Sequence, residues 1–70
     1  MRRFELVEDG SRKFWEVDVE GSTVTVRFGR LGTDGQKKAK AHDSPAAAQK
    51  DADKLIAEKT KKGYVECAGS

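Results

Sequence analysis

The sequence predicts an α+β fold, a small antiparallel sheet of three to four strands with one helix packed on one face. Three observations carry this expectation. Apolar and polar residues alternate over Lys13 to Glu20 and again over Thr23 to Phe28, the period-two pattern of strands buried on one side. Gly21-Ser22 stands between them as a two-residue turn signal. Beyond Asp43-Ser44-Pro45 the alternation stops, and Ala, Lys, Glu, Gln and Leu dominate as far as Lys62, all good helix formers.

The first strand is expected over Arg3 to Val7, where Phe4 and Leu6 alternate with Arg3 and Glu5. Glu8-Asp9-Gly10-Ser11 reads as a turn, since Asp-Gly between such runs marks a hairpin. In the second strand Trp15, Val17 and Val19 share one face, and Glu16, Asp18 and Glu20 the other. A type II′ turn with Gly21 in its first central position puts Glu20 opposite Thr23. Val19 then faces Val24, Val17 faces Val26, and Trp15 faces Phe28. A slip of one residue would send every apolar side chain to the wrong face, so the pattern fixes the register. On the other face Glu16 meets Arg27 and Phe14 meets Gly29, an ion pair and an aromatic covering a glycine.

The third strand runs into Val26 to Gln36, V-R-F-G-R-L-G-T-D-G-Q, with Gly29, Gly32 and Gly35 at every third position. Glycine serves where backbone must approach closely or take positive φ, so these three are expected to shape the loop. Gln36 to His42 follows as another strand, with Ala39 and Ala41 expected toward the core and Lys38, Lys40 and His42 on the open face. Ser44 is the expected helix N-cap and Pro45 its first residue. Ala48, Ala52, Leu55 and Ile56 form one apolar stripe, and Gly63 ends the helix. Tyr64 and Val65 return to the core. The chain reads as a single domain over 1–70, with a core of about 4–66 and a frayed tail at 67–70.

Seventy residues bury only about 60% of the surface the unfolded chain exposes, so the core is thin. Charged residues make up 37% of the chain, which suits a well-solvated globule better than an enzyme with a deep pocket. Cys67 has no second cysteine with which to form an internal disulfide, which fits a reducing, cytoplasmic setting. No apolar run is long enough for a membrane span or a signal peptide, and a monomer is expected. Net charge is +2, but residues 21–42 hold five basic side chains against one acidic. A polyanion responds to that local concentration.

Catalysis finds no support. His42 lacks neighbours at ligand spacing for a metal, and no nucleophile–base arrangement or carboxylate pair is visible. Neither enzyme activity nor a cofactor is expected. The glycine spacing joins two strands and offers no helix N-terminus, so it is no phosphate or dinucleotide fingerprint. The candidates are Arg30, Lys37, Lys38 and Lys40 for phosphate contact. The lysines also read as protection of a sheet edge. Phe28 is open to two readings, core rim against Trp15 or a stacking surface for ligand.

Phe28-Gly29-Arg30-Leu31-Gly32-Thr33-Asp34-Gly35-Gln36 resembles the signature of the WGR domain family, a Trp-Gly-Arg triplet followed by a glycine turn. Lys13-Phe14-Trp15-Glu16-Val17, the Asp43-Ser44-Pro45 helix start and Lys61-Lys62-Gly63-Tyr64 agree with it. In length the chain is similar to the small free-standing bacterial members. The resemblance implies DNA recognition: in the poly(ADP-ribose) polymerases the tryptophan packs on backbone sugar near a DNA end, and the arginine joins neighbouring domains. By position those roles fall on Phe28 and Arg30, with phenylalanine in place of the family's tryptophan. The expected function is a nucleic-acid-binding module, for DNA before RNA, directed to the backbone and not to sequence. The alternative is docking on a protein partner through Arg30 and the loop.

Overall fold

The computed structural model describes residues 2–67. Five strands and one helix follow in the order β1 (Arg2–Glu8), β2 (Ser11–Glu20), β3 (Thr23–Arg30), β4 (Gln36–Ala41), α1 (Pro45–Lys62) and β5 (Val65–Glu66). They form one antiparallel sheet in the order β4-β3-β2-β1-β5, with α1 on one face. The sheet thus has five strands rather than the expected three to four. The fifth is two residues long, too short for any periodic signal. It exists through long-range partners: Val65 and Glu66 pair with Glu5 and Phe4, and Arg2 closes on Glu66 at 2.7 Å. Cys67 N–H donates to Arg3 O at 2.8 Å. Residues 68–70 of the expected frayed tail lie outside the described residues.

The β2–β3 hairpin has the expected register, with Trp15 opposite Phe28, Val17 opposite Val26, and Glu20 opposite Thr23. Its helix-side face supplies buried Trp15, Val17 and Val24, joined by Phe4 from β1. Phe4 and Trp15 meet tilted, ring centroids 5.5 Å apart, a geometry aromatic quadrupoles favour. Helix α1 starts as expected: Ser44 Oγ accepts the Ala47 N–H at 3.1 Å, with Pro45 in the first turn. Gly63 caps its end. Ala48 and Ala52 put only a methyl group each between helix and sheet and are fully buried, so α1 sits close on β2 and β3. Eighteen helical residues span about 27 Å, enough to cross five strands spaced about 4.8 Å apart. That length carries the chain from the β4 edge to β5 at the opposite edge.

One expectation about the faces needs correction. Lys38 and Lys40 pair with Val26 and Val24, which places them on the helix side of the sheet, whereas Ala39 pairs with Thr25 and Ala41 with Thr23 on the open side. The faces of β4 are therefore the reverse of those expected. All six residues of β4 are exposed, because α1 packs over β2 and β3, so no burial demand turns the alanines inward. The open face also buries an aromatic. Phe14 is buried there at 2% exposure, between the guanidiniums of Arg3 and Arg27, which lie 4.8 and 5.5 Å from its ring centroid.

Candidate nucleic-acid interface

The glycine loop is held by its own backbone. Leu31 N–H donates to Arg12 O at 3.0 Å, and the Thr33 N–H and hydroxyl both donate to Arg30 O, at 3.2 and 2.8 Å. The loop then folds back over β3. A Cβ on Gly29 would lie 2.7 Å from Gly35 Cα, and one on Gly35 would overlap the Phe28 carbonyl oxygen and sit 2.8 Å from the Phe14 ring. Two backbone segments touch at this point because neither carries a side chain. The contact fixes where β3 ends and where Arg30 leaves the sheet.

The open face beneath the loop is an electrostatic clamp. Glu16, 9% exposed, accepts from Arg3 Nη1 at 2.9 Å and Arg27 Nε at 2.8 Å. Burial pushes the Glu16 carboxyl up, but the hydrogen bonds and charges of the two arginines outweigh it and hold the group below the ordinary carboxylate value. Arg3 also pairs with Glu5, and Arg2 with Glu66. Three of the arginines are thus committed to carboxylates.

The helix side is different. In the β2–β3 register Lys13 stands opposite Arg30, two positions beyond the Trp15–Phe28 pair and therefore on the same face. Helix α1 ends above them, and Lys59 places its Nζ 5.8 Å from the Trp15 ring centroid and 5.6 Å from that of Tyr64. Burial pushes the Lys59 ammonium below the ordinary lysine value, and the positive charges of Lys62 and Lys13 add to the effect against Glu58. Lys13, Phe28, Arg30, Lys59 and Tyr64 line a concavity of about 330 Å3. Lys38 extends the same face, its Nζ 5.6 Å from the Phe28 ring centroid, and Lys40 follows two residues on.

The structure therefore brings Phe28, Arg30, Lys38 and Lys40 to one face and leaves Lys37 on the other, opposite Arg27. Phe28 is half-buried and packs against the core while lining the concavity. Among the described residues, Lys13, Arg30, Lys38 and Lys40 are exposed and paired to no carboxylate. Lys13, Lys59 and Tyr64 did not figure among the sequence candidates. Lys13 was reachable by extending the hairpin register two steps past Trp15–Phe28. Lys59 and Tyr64 depend on where the helix lands. His42 Nε2 lies 3.1 Å from Asp51 Oδ2 and ties the end of β4 to α1. No described helix is long and apolar enough to cross a membrane.

A half-open five-stranded sheet, backed by one helix and carrying a row of unpaired cations beside an aromatic, is the architecture of a small binding domain. The chain belongs to the WGR domain family, whose model matches residues 1–69. Among its relatives in Escherichia coli K12, Protein YehF is 46% identical over 68 residues, covering 97% of this chain and 25% of the relative. The uncharacterized protein YfeS is 42% identical over 65 residues, covering 93% and 27%. A crystal structure of a Bacteroides fragilis protein matches with a TM-score of 0.92 at 55% identity, over 94% of this chain and 19% of that one. The chain thus spans about a quarter of the length of these curated relatives.

Proposed function

We propose that this domain binds nucleic acid, DNA in the first place, by its phosphate backbone along the helix-side row Lys13, Arg30, Lys38 and Lys40. The observation that carries the reading is the sorting of the basic residues. Arg2, Arg3 and Arg27 are neutralised by Glu66, Glu5 and Glu16, whereas the four cations of the row are exposed on one face, with Lys13, Arg30 and Lys38 beside Phe28. Membership of the WGR family supports nucleic-acid binding in general. Glycine-loop geometry holds Arg30 at the end of the row, and Phe28 offers a flat apolar edge for a sugar or base. The row is built of cations, which suit phosphate oxygens and carry no sequence information, so binding is backbone-directed and indifferent to sequence.

Four phosphate contacts correspond to a log–log salt slope of about −3.6, or roughly a hundredfold weakening between 50 and 200 mM salt. Affinity at physiological salt belongs in the range of about 10⁻⁴ to 10⁻⁶ M typical of non-specific binding. Fluorescence anisotropy with blunt duplex, nicked duplex and single strand at both salt concentrations tests the reading and ranks the substrates. Absence of binding to all three at the lower salt would overturn it and leave docking on a protein through Arg30 and the loop.

A further inference from the structure

We infer that the outer edge of β4 is a docking edge for an extended acidic segment of a partner protein, added to the sheet as a sixth strand. This goes beyond the nucleic-acid reading and does not depend on it. The first observation is the direction of the backbone groups. His42 N–H donates to Ser22 O at 2.8 Å. In an antiparallel ladder such bonded pairs recur at every second position, so Val24–Lys40 and Val26–Lys38 are bonded pairs. The Leu31 N–H to Arg12 O bond fixes the same phase on the other side of β3, turning Thr25 and Arg27 toward β2. Lys37, Ala39 and Ala41 therefore point their N–H and C=O groups out of the sheet.

The second observation is that, among the described residues, no bulge, proline or covering element closes this edge, and its lysines are the one guard it carries. β4 is the outermost strand, all six of its residues are exposed, and it pairs with β3 without a bulge or proline. An edge of that kind is a template for another strand. Charge then selects the occupant. A second copy of β4 would set lysines beside lysines, and like charges in neighbouring strands repel. A nucleic acid has no strand backbone to continue the ladder. An acidic extended segment satisfies both demands. Carboxylates at alternate positions lie beside Lys38 and Lys40 on the helix side. The residue between them crosses Ala39 on the open side, where the small side chain leaves room for a β-branched or aromatic one.

The test uses a capped, labelled eight-residue peptide of alternating Glu and Val, titrated by fluorescence anisotropy. Controls are a peptide of the same composition with its glutamates grouped at one end, and the alternating peptide with its valines N-methylated. Ala39→Pro removes the central outward donor without touching the ladder to β3, and edge strands tolerate proline. It is expected to weaken binding of the alternating peptide by about tenfold, the upper end for one lost hydrogen bond. Duplex DNA binding and melting temperature stay at the parent's values. Lys38→Gln with Lys40→Gln weakens both ligands. N-methylation weakens the peptide on the unmodified protein, which decides the question should Ala39→Pro disturb folding. Equal binding of the grouped and alternating peptides, or of the N-methylated and plain ones, would overturn strand addition and reduce the contact to charge alone. Because duplex is titrated separately, loss of DNA binding and loss of peptide binding are read independently.

Discussion

Gly35→Ala is the sharpest perturbation of the loop that positions Arg30. Gly35 has φ +68, a left-handed conformation that costs an L-residue roughly 1–2 kcal/mol. Its new methyl group would also overlap the Phe28 carbonyl oxygen and press within 2.8 Å of the Phe14 ring. Overpacking of that kind adds about 1–3 kcal/mol, giving a total of roughly 2–5 kcal/mol. Gly32→Ala is the matched control, since Gly32 has φ +90 but open space around its Cβ position. It carries only the conformational cost of roughly 1–2 kcal/mol. In a domain of this size 1 kcal/mol moves the melting temperature by about 4–8 °C. Thermal unfolding followed by circular dichroism should therefore show a clearly larger fall for Gly35→Ala than for Gly32→Ala. Equal shifts would refute the close contact between the loop, Phe28 and Phe14.

Two further outcomes are expected. Glu16→Gln should destabilise the domain at neutral pH by about 2 kcal/mol, less than the roughly 3–5 kcal/mol of a fully buried pair because the Arg27 side chain is 40% exposed. The folded-state value of Glu16 is depressed, so its contribution is fully present above the ordinary carboxylate value and lost as pH falls below it. Melting curves from about pH 7 down to about pH 2 should show part of the parent's acid sensitivity missing from the variant, and identical acid profiles would refute the clamp. Phe28→Leu keeps an apolar side chain on the core but removes the flat ring. Affinity for single-stranded DNA should fall by at least about fivefold, since stacking on an aromatic is worth about 1–3 kcal/mol per base. The salt slope should not change, and unaltered affinity would make Phe28 a core residue alone.

The hairpin of β2 and β3 was legible in the sequence to the residue, because strict alternation on both sides of a two-residue turn leaves one register that buries Trp15, Val17, Val24 and Val26 together. The helix was legible for a similar reason: Ser44, Pro45 and Gly63 mark its ends by backbone chemistry that is local. β4 was not. Q-K-K-A-K-A has no large apolar residue, so either face is compatible with its pattern, and the five-residue loop from Leu31 to Gly35 decides the phase. Reading alanine as the inward residue failed because α1 packs on β2 and β3 and leaves all of β4 exposed. β5 is held by Arg2, Glu5 and Phe4 from the far end of the chain, and two residues carry no period. The burial of Phe14 on the open face was half legible. Its register opposite Gly29 was readable, but not the two arginines stacked over it.

The candidate site followed the same division. Phe28 and Arg30 were found through the glycine loop, and Lys38 and Lys40 through local charge. Lys37 was grouped with them by sequence proximity, which strand alternation undoes. Lys13 belongs to residues 1–20, where six acidic side chains outnumber four basic ones, so counting charge along the chain hid a cation that pairing places beside Arg30.

That exchange of Lys37 for Lys13 gives the most direct test of the proposed interface. The salt dependence of duplex binding is measured for the parent, for Lys13→Gln combined with Arg30→Gln, and for Lys37→Gln, all exposed positions. The expected slope is about −3.6 for the parent and about −1.8 for the double variant, since each lost phosphate contact removes about 0.9. Lys37→Gln should keep the parent's slope. A double variant with the parent's slope, or a Lys37→Gln variant flattened by a full contact, would contradict the helix-side row as the nucleic-acid surface.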